Sequence, residues 1–344
     1  MRSATIRDVA RAANVSTATV SRVLNRSEAV ADPTVDRVLK AANELDYVPH
    51  GGARSLASKR TDTIGVLLPD LHGEFFSELI RGIDAGTSAH GLHLLLSRSH
   101  GDPQEAAAVL RAMRSRVDAM LVMSPYADGE ELSSALKGGV PLVLLNSSGG
   151  GGGRHPTFAI DNHAGAFAIT AHLLETGRRR VAFIAGPADN IEAAERLRGY
   201  RAALASTEQS GELIAQGDFT ERSGLAATRE LLLTARPDAI FAANDMMAIG
   251  CLQALREADL RVPGSVAVAG FDDIPVARFV EPALTTAGVP IAEIGRQALE
   301  CCVAIIRGAD PGDRHRIFTP QLVVRASSTG NSEHGPKSPA SERI

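Results

Sequence analysis

The 344-residue sequence has little cysteine, no long apolar run and no apolar N-terminal segment. Its three cysteines, Cys251, Cys301 and Cys302, include an adjacent pair and offer no sensible disulfide framework. No apolar stretch approaches the ~18 residues that a membrane-spanning helix needs, and the first residues lack the apolar core of a secretory signal. These absences exclude a disulfide-stapled secreted domain and a membrane protein, and they predict a cytoplasmic protein.

The charges are distributed unevenly along the chain. Residues 1–60 carry ten Lys/Arg and six Asp/Glu, a net charge of +4, whereas the remainder carries 26 Lys/Arg and 34 Asp/Glu, a net charge of −8. A small basic segment ahead of a large acidic one indicates that only the first segment meets a polyanion. Composition alone leaves a chance excess of four charges equally open.

Residues 1–48 have the periodicity of three short amphipathic helices, which predicts a helix-turn-helix unit. Apolar residues recur with i, i+3, i+4 spacing in TIRDVARAA and again in NVSTATVSRVLN. Thr5 and Ser16 are suited to cap the first two helices, and Asn14 tolerates the left-handed conformation that the turn between them needs. The third helix, predicted in DPTVDRVLKAANEL, has these inward positions: Val35, Val38, Leu39, Ala42 and Leu45.

The second helix carries small, hydroxyl and basic side chains on its outer face. An arginine there can donate two hydrogen bonds to the edge of guanine, and a small neighbour can pack against a thymine methyl group. Hydroxyl and amide groups nearby suit phosphate oxygens, which set the register without reading sequence. Taken one at a time, these residues are more often plain solvated surface, but the turn spacing and the positive charge together favour DNA recognition.

The segments TIRDVARAANVSTATVSRVLN, LDYVP and ARSLASKRTDTIGVLLPD closely resemble the start of lactose-repressor (LacI/GalR) family transcription regulators. The resemblance runs from about Thr5 to about Arg325 and implies a homodimer on near-palindromic double-stranded operator DNA, with one recognition helix per half-site. By this match the residues that contact bases are Thr17, Ala18 and Arg22. The residues that contact the DNA backbone are Thr5, Ser16, Thr19, Ser21, Asn25 and Tyr47.

Residues 49–61 have the composition of a linker, for which an inert tether and a functional hinge are equally good interpretations. In the family, the equivalent segment forms a helix on operator DNA, and a leucine wedges into the minor groove and unstacks a base step. The resemblance places Leu56 at that base-contacting leucine. It places Ala53, Arg54 and Ser55 in the hinge that leads up to it.

From residue 62 onward, short apolar runs alternate with helical stretches, which predicts parallel sheets covered by helices on both faces. The runs form two sets, so two lobes are expected, within a body spanning 62–330. Their predicted bounds are about 62–161 with 290–320 for lobe 1, and about 162–289 with 321–330 for lobe 2. The predicted fold class is therefore α/β: a three-helix head joined by a hinge to a two-lobed, periplasmic-binding-protein-like body.

Two low-complexity segments are predicted to be irregular. The glycine run Gly149–Gly153 lacks the Gly-Lys-Ser/Thr ending of a phosphate-binding loop, so a flexible loop at the cleft mouth is expected. The Ser/Pro-rich tail, residues 331–344, is predicted to be disordered. Because the tail lacks leucine heptads, a tetramer built on a helical bundle is not expected.

Carboxylates, amides and aromatics follow the carboxyl ends of the predicted strands, which is where open parallel sheets bind ligands. Such side chains suit a polyhydroxylated ligand, although each one singly is more often a cap or turn residue, and Asp161 and Asp245 in particular look structural. The resemblance implies these effector-binding residues: Phe75, Phe76, Asn146, Asn190, Glu192, Arg196, Phe219, Asn244 and Asp272. The combination favours a sugar or sugar derivative as effector, with a purine or other metabolite as the alternative.

Other function classes fit the sequence less well. A periplasmic sugar receptor shares the two-lobed body but would need a signal peptide and no basic head; a cytoplasmic sugar-binding protein without a regulatory role remains an alternative. No His, Cys or Ser constellation stands at a catalytic spacing, and neither metal-ligand spacing nor a dinucleotide fingerprint is present. An enzyme, a metal and a cofactor are therefore not expected.

Overall fold

The computed structural model describes residues 4–25, 30–47, 60–126, 132, 134, 136, 139–146, 155–207 and 211–329. The hinge residues Ala53, Arg54, Ser55 and Leu56, the run Gly149–Gly153 and the tail 331–344 lie outside these ranges, and what the sequence predicts for them stays a prediction. The chain divides into two compact units. The first is Met1–Thr63 with Arg116–Asp118, and the second is Ile64–Ser115 with Ala119–Ile344.

The head consists of helices α1 (Ile6–Ala12), α2 (Thr17–Asn25) and α3 (Asp32–Glu44). Thr5 and Asp8 form a reciprocal capping box at the start of α1, in which the Asp8 carboxylate accepts from the Thr5 backbone N–H at 3.0 Å. Ser16 caps α2 by accepting from the Thr19 N–H at 3.0 Å. Asn14 has a φ of 53°, the left-handed conformation expected for the turn.

The head core is smaller than the periodicity of α3 predicts. Val9 of α1, Val20 of α2 and Val38 of α3 are fully buried in the core where the three helices pack together. Leu39 and Leu45 were expected inside, but they are 45% and 37% exposed. Of the other predicted inward positions, Val38 and Ala42 are buried and Val35 is half-buried, and Ala41 completes the single buried stripe of this 13-residue helix.

The body contains two six-stranded sheets, as expected for the predicted α/β class. The strands of the first sheet are β1 (Thr63–Leu68), β2 (His93–Arg98), β3 (Ala119–Met123), β4 (Leu142–Leu145), β5 (Thr157–Ile160) and β11 (His315–Phe318). Those of the second are β6 (Val181–Ala185), β7 (Leu213–Gln216), β8 (Ala239–Ala242), β9 (Ala267–Asp272), β10 (Thr285–Gly288) and β12 (Gln321–Val323). The first sheet has the order β11-β5-β4-β3-β1-β2, and the second has the order β12-β10-β9-β8-β6-β7.

Neighbouring strands are parallel from β11 to β1 in the first sheet and from β10 to β7 in the second, and β12 runs antiparallel to β10. Their central strands are buried throughout, which is why they read as continuous apolar runs without alternation. We call the part built on the first sheet lobe 1 and the part built on the second lobe 2. The chain enters lobe 2 after β5, returns after β10, and crosses once more between β11 and β12.

Helices cover both sheets of the body. They are α4 (Glu74–His90), α5 (Pro103–Met113), α6 (Asn162–Glu175), α7 (Ile191–Ala205), α8 (Glu221–Thr234), α9 (Asp245–Glu257), the 3₁₀ helix Pro275–Arg278, and α10 (Ile291–Ile306). Helices α4 and α10 pack so closely that a Cβ on Gly82 would lie 1.8 Å from the Ala292 carbonyl oxygen. None of the described helices is long and apolar enough to cross a membrane.

Candidate functional site

The outer face of α2 in the head carries the residues predicted to contact bases. Thr17, Ala18 and Arg22 are exposed, as a base-reading face requires. The Ser16 and Thr19 hydroxyls lie 2.9 Å apart at the start of the same helix. The remaining predicted backbone contacts differ in setting: Thr5 is exposed, Ser21 and Tyr47 are half-buried, and the side chain of Asn25 lies outside the described residues.

Between lobes 1 and 2 lies a cleft with a volume of about 360 Å³. Eight of the nine predicted effector-binding residues line it: Phe75, Phe76, Asn190, Glu192, Arg196, Phe219, Asn244 and Asp272. These residues come from both lobes and from loops or helix starts that follow strand ends, as the rule for parallel sheets predicts. The ninth, Asn146, is not part of the wall.

Arg196 is the cation at the bottom of the cleft, and it is 97% buried. Its Nε donates to Asn162 Oδ1 at 2.8 Å, its Nη1 donates to the Ala243 carbonyl, and its Nη2 lies 3.4 Å from Asp272 Oδ1. The guanidinium also lies 3.8 Å from the centre of the Phe271 ring. Four fixed contacts hold the arginine rigidly, which is how a binding group is preorganised.

Two buried carboxyl groups accompany this cation. Burial raises the pKa of Glu192 to about 7, and Arg196 opposes the rise. Burial also raises the pKa of Asp272 to about 6, again against the pull of Arg196. Both carboxyls therefore titrate close to neutral pH, a property typical of binding and catalytic sites.

Aromatic rings form the apolar side of the cleft. Phe75 and Phe76, in the first turn of α4, meet edge to face with ring centres 5.5 Å apart. Phe219 stands in the loop between β7 and α8 with a left-handed φ of 71°. Its ring lies against Gly186, where a Cβ would come within 2.4 Å of it, so glycine is required for the ring to take this place.

Three predicted amide residues also have structural partners. Asn190 caps α7 by accepting from the Ala193 N–H at 2.9 Å, and Asn244 caps α9 by accepting from the Met247 N–H at 2.9 Å. The Asn244 amide group donates to the Phe219 carbonyl at 3.0 Å, so this side chain holds the loop that carries Phe219. Asn146 Oδ1 accepts from the Ile160 N–H at 3.1 Å behind the cleft wall.

The sequence indicates that Asp161 and Asp245 stabilise the fold, and both side chains accept hydrogen bonds from groups within the protein. Asp161 caps α6 by accepting from the Ala164 N–H at 2.9 Å. Asp245 accepts from the Thr286 hydroxyl at 2.7 Å and from the Ile274 N–H at 3.0 Å. Burial raises the pKa of Asp245 well above its usual range, and the nearby Asp272 carboxylate adds to the rise.

The cleft wall includes polar residues that the sequence reasoning did not select. Tyr126 follows β3, while Arg98 and His100 stand at and just beyond the end of β2. The rule that ligands bind beyond strand ends applies to these positions too, so it could have identified them. Asp218 was missed because it precedes the more conspicuous Phe219 in the same loop.

A helix-turn-helix head in one unit and a two-lobed body with a polar and aromatic cleft in the other define the class of ligand-controlled DNA-binding regulators. Comparison with known families agrees with this class. Residues 5–50 match the family described as "Bacterial regulatory proteins, lacI family". Residues 170–328 match the family described as "Periplasmic binding protein-like domain".

Similarity to individual proteins extends over almost the whole chain. The transcriptional repressor CytR of Escherichia coli (strain K12) is 35% identical over 94% of this chain and 96% of its own length. The structure of the regulator CelR in complex with cellobiose is 34% identical and covers 94% of this chain and 99% of its own, with a TM-score of 0.70. The structure of the lac repressor dimer bound to operator and the anti-inducer ONPF is 26% identical and covers 95% of this chain and 99% of its own, with a TM-score of 0.84. The chain belongs to the LacI family of bacterial transcriptional regulators.

Proposed function

We propose that this protein is a cytoplasmic transcriptional repressor whose affinity for a near-palindromic operator is controlled by a sugar or sugar derivative bound between lobes 1 and 2. It acts as a homodimer, with one α2 helix in the major groove of each half-site, and it is not an enzyme. By family resemblance, Thr17, Ala18 and Arg22 read bases, and Leu56 of the hinge enters the minor groove.

The observation that carries this proposal is the buried pair of Arg196 and Asp272 at the bottom of an aromatic-walled cleft. A guanidinium and a carboxylate held side by side can bind vicinal hydroxyl groups, while Phe75, Phe76 and Phe219 can pack on the apolar face of a sugar ring. The cellobiose bound by CelR, a relative that matches most of this chain, supports the choice of a sugar over a purine.

Control requires that the effector bind one arrangement of the body more tightly than another. Contacts that join the lobes across the cleft include a 3.3 Å hydrogen bond from the Ile191 N–H to the Pro125 carbonyl and a 3.5 Å pair between His72 and Glu221. Another is the hydrogen bond from the Val276 N–H to the Glu74 carboxylate. A ligand that favours this closed arrangement shifts the equilibrium by its differential affinity, typically about 1–3 kcal/mol.

The DNA-reading part is tested by selecting duplexes from a random pool with the full-length protein. Wild type should enrich a near-palindrome. Arg22→Ala should lose the preference for that sequence while keeping weak, salt-sensitive binding, because phosphate contacts remain. Arg37→Ala, an exposed arginine on α3, is the control. Failure of wild type to enrich any palindrome would contradict the proposal.

The effector part is tested by a thermal-shift screen of sugars and purines, since a specific ligand raises the apparent stability by mass action. A sugar hit should change operator affinity in wild type. In Asp272→Asn the operator should still bind, but the response to that sugar should be lost. Glu195→Ala, on the exposed side of α7, is the control. A hit among purines alone would replace the sugar assignment.

A further inference from the structure

Glu192, in the first turn of α7, has a carboxylate that the protein satisfies only in part. Among the residues that the structure describes, Glu192 Oε1 is the one buried side-chain oxygen or nitrogen that has no hydrogen-bond partner. The residue lines the cleft and is 8% exposed. A buried polar atom without a partner is rare in folded proteins and calls for a physical reason.

The neighbouring groups have other partners. Arg196, one turn further along α7, is committed to Asn162, the Ala243 carbonyl and Asp272. The amide oxygens are taken as well, since Asn190 Oδ1 caps α7 and Asn146 Oδ1 accepts from the Ile160 N–H. Asn146 can therefore offer Glu192 only its amide N–H groups, and this amide acts to lower the pKa of the carboxyl. One oxygen of Glu192 is left for a donor from outside the protein.

The charge balance at the bottom of the cleft is acidic. Glu192 and Asp272 are two carboxyls facing the single guanidinium of Arg196. Arg98 also lines the cleft, but its side chain is 49% exposed and lies 3.8 Å from Asp70. A ligand carboxylate or phosphate beside Glu192 would thus meet a like charge in a site shielded from water, where repulsion is strong.

We propose that Glu192 selects the charge of the effector: it accepts a hydrogen bond from a hydroxyl or amino group of a neutral sugar or amino sugar, and it excludes sugar acids and sugar phosphates. This inference rests on the proposed function and names the chemical class of the ligand. It goes further than the fold, because the two-lobed body by itself is compatible with ligands of either charge.

The same geometry couples binding to protons. A donor at Oε1 favours the ionised carboxylate, and burial raises the pKa of Glu192 to about 7. The titratable groups that face it are Arg196 on its own helix, Asp272 at the end of β9 and Tyr126 after β3. Because the ionised carboxylate is the stronger acceptor, affinity for a neutral sugar should rise between pH 6 and pH 8, by at most about tenfold.

The test is calorimetric titration of the full-length protein with matched probes. The neutral or cationic probes are cellobiose, D-glucose, D-ribose and D-glucosamine; the anionic probes are cellobionate, D-gluconate and the phosphates of glucose and ribose. Each is measured at pH 6 and pH 8 with wild type, Glu192→Gln and the control Glu195→Gln. Glu195 lies on the same helix but pairs with Arg198 at the surface.

Wild type and Glu195→Gln should bind a neutral or amino sugar at least 30-fold more tightly than its anionic counterpart. In Glu192→Gln that ratio should fall below about fivefold, and the pH dependence should fall to about twofold or less, the part that titration of Asp272 contributes. An unchanged ratio in Glu192→Gln, or anions preferred by wild type, overturns the inference while leaving the proposed function intact. If no probe binds wild type, both the sugar-effector proposal and the inference about Glu192 are wrong. Should Glu192→Gln not fold, a flat pH profile in wild type is the overturning result.

Discussion

The Glu74 carboxylate at the start of α4 accepts a 3.0 Å hydrogen bond from the backbone N–H of Val276 in the 3₁₀ helix. Glu74 belongs to lobe 1 and Val276 to lobe 2, although 202 residues separate them in the chain. An N–H at the start of a short helix has no partner within that helix, so the carboxylate satisfies it. The bond therefore stabilises the arrangement in which the two lobes enclose the cleft.

Replacement of Glu74 by alanine should loosen this inter-lobe contact. A hydrogen bond to a charged group contributes about 1.5–3 kcal/mol; with Glu74 half-buried, we expect the lower end of that range. Amide exchange at Val276 should accelerate about tenfold, measured by hydrogen–deuterium exchange. Glu78→Ala is the control, because the Glu78 carboxylate pairs with Arg81 on its own helix. Equal exchange in the two variants would contradict the assigned role.

Gly82 and Gly86 on α4 should differ in their tolerance of a methyl group. A Cβ on Gly82 would lie 1.8 Å from the Ala292 backbone oxygen of α10, whereas a Cβ on Gly86 would meet the end of the Leu299 side chain at 2.3 Å. A side chain can rotate away, but the backbone of a packed helix cannot. Gly82→Ala should lower the free energy of unfolding by about 3 kcal/mol and Gly86→Ala by about 1 kcal/mol. Urea unfolding followed by circular dichroism measures both losses. A smaller loss in Gly82→Ala than in Gly86→Ala would contradict the close approach of α4 to the backbone of α10.

The Glu192 carboxyl should make stability fall as pH rises. Its pKa is about 7 in the folded protein and 4.5 in its ordinary environment. Between those values the folded state holds a proton that the unfolded state has released, so the unfolding free energy decreases with increasing pH. Relative to Glu192→Gln, wild type should lose on the order of 3 kcal/mol of unfolding free energy between pH 4.5 and pH 8. Thermal denaturation across this range measures it, and a pH-independent difference would argue against the buried, unpaired carboxyl.

Val38 and Leu39 are adjacent on α3, but truncation should destabilise the head at Val38 far more than at Leu39. Val38 is fully buried in the head core, and Leu39 is 45% exposed. Val38→Ala should reduce the local stability of the head by about 2 kcal/mol through lost burial and a cavity. Leu39→Ala should change it by less than about 0.5 kcal/mol. Hydrogen exchange of the α1–α3 amides in the full-length protein reports the head alone. Equal losses of stability in the two variants would show that Leu39 contributes to the head core as much as Val38 does.

Much of the candidate site was predictable because its residues follow strands. The rule that ligands bind beyond the carboxyl ends of parallel strands needs only the order of strands and helices along the chain. It identified Asp272 and Asn244 correctly as wall residues, and it would have identified Tyr126 had it been applied after β3. Asn146 obeys the same rule yet lies behind the wall, because its amide oxygen is drawn to the Ile160 N–H.

Local pattern determined the helix-turn-helix head, the two sets of buried strands and the α/β class, since helix caps, apolar periodicity and strand runs depend on residues a few positions apart. The tertiary structure alone decided which polar side chains have hydrogen-bond partners within the protein and which lack one. Arg196 is occupied by Asn162, Ala243 and Asp272, which lie 34, 47 and 76 residues away, and Glu192 is left with an unpaired oxygen. A hydrogen bond needs its partner within about 3 Å, and only the folded chain sets distances of that kind between residues so far apart in sequence.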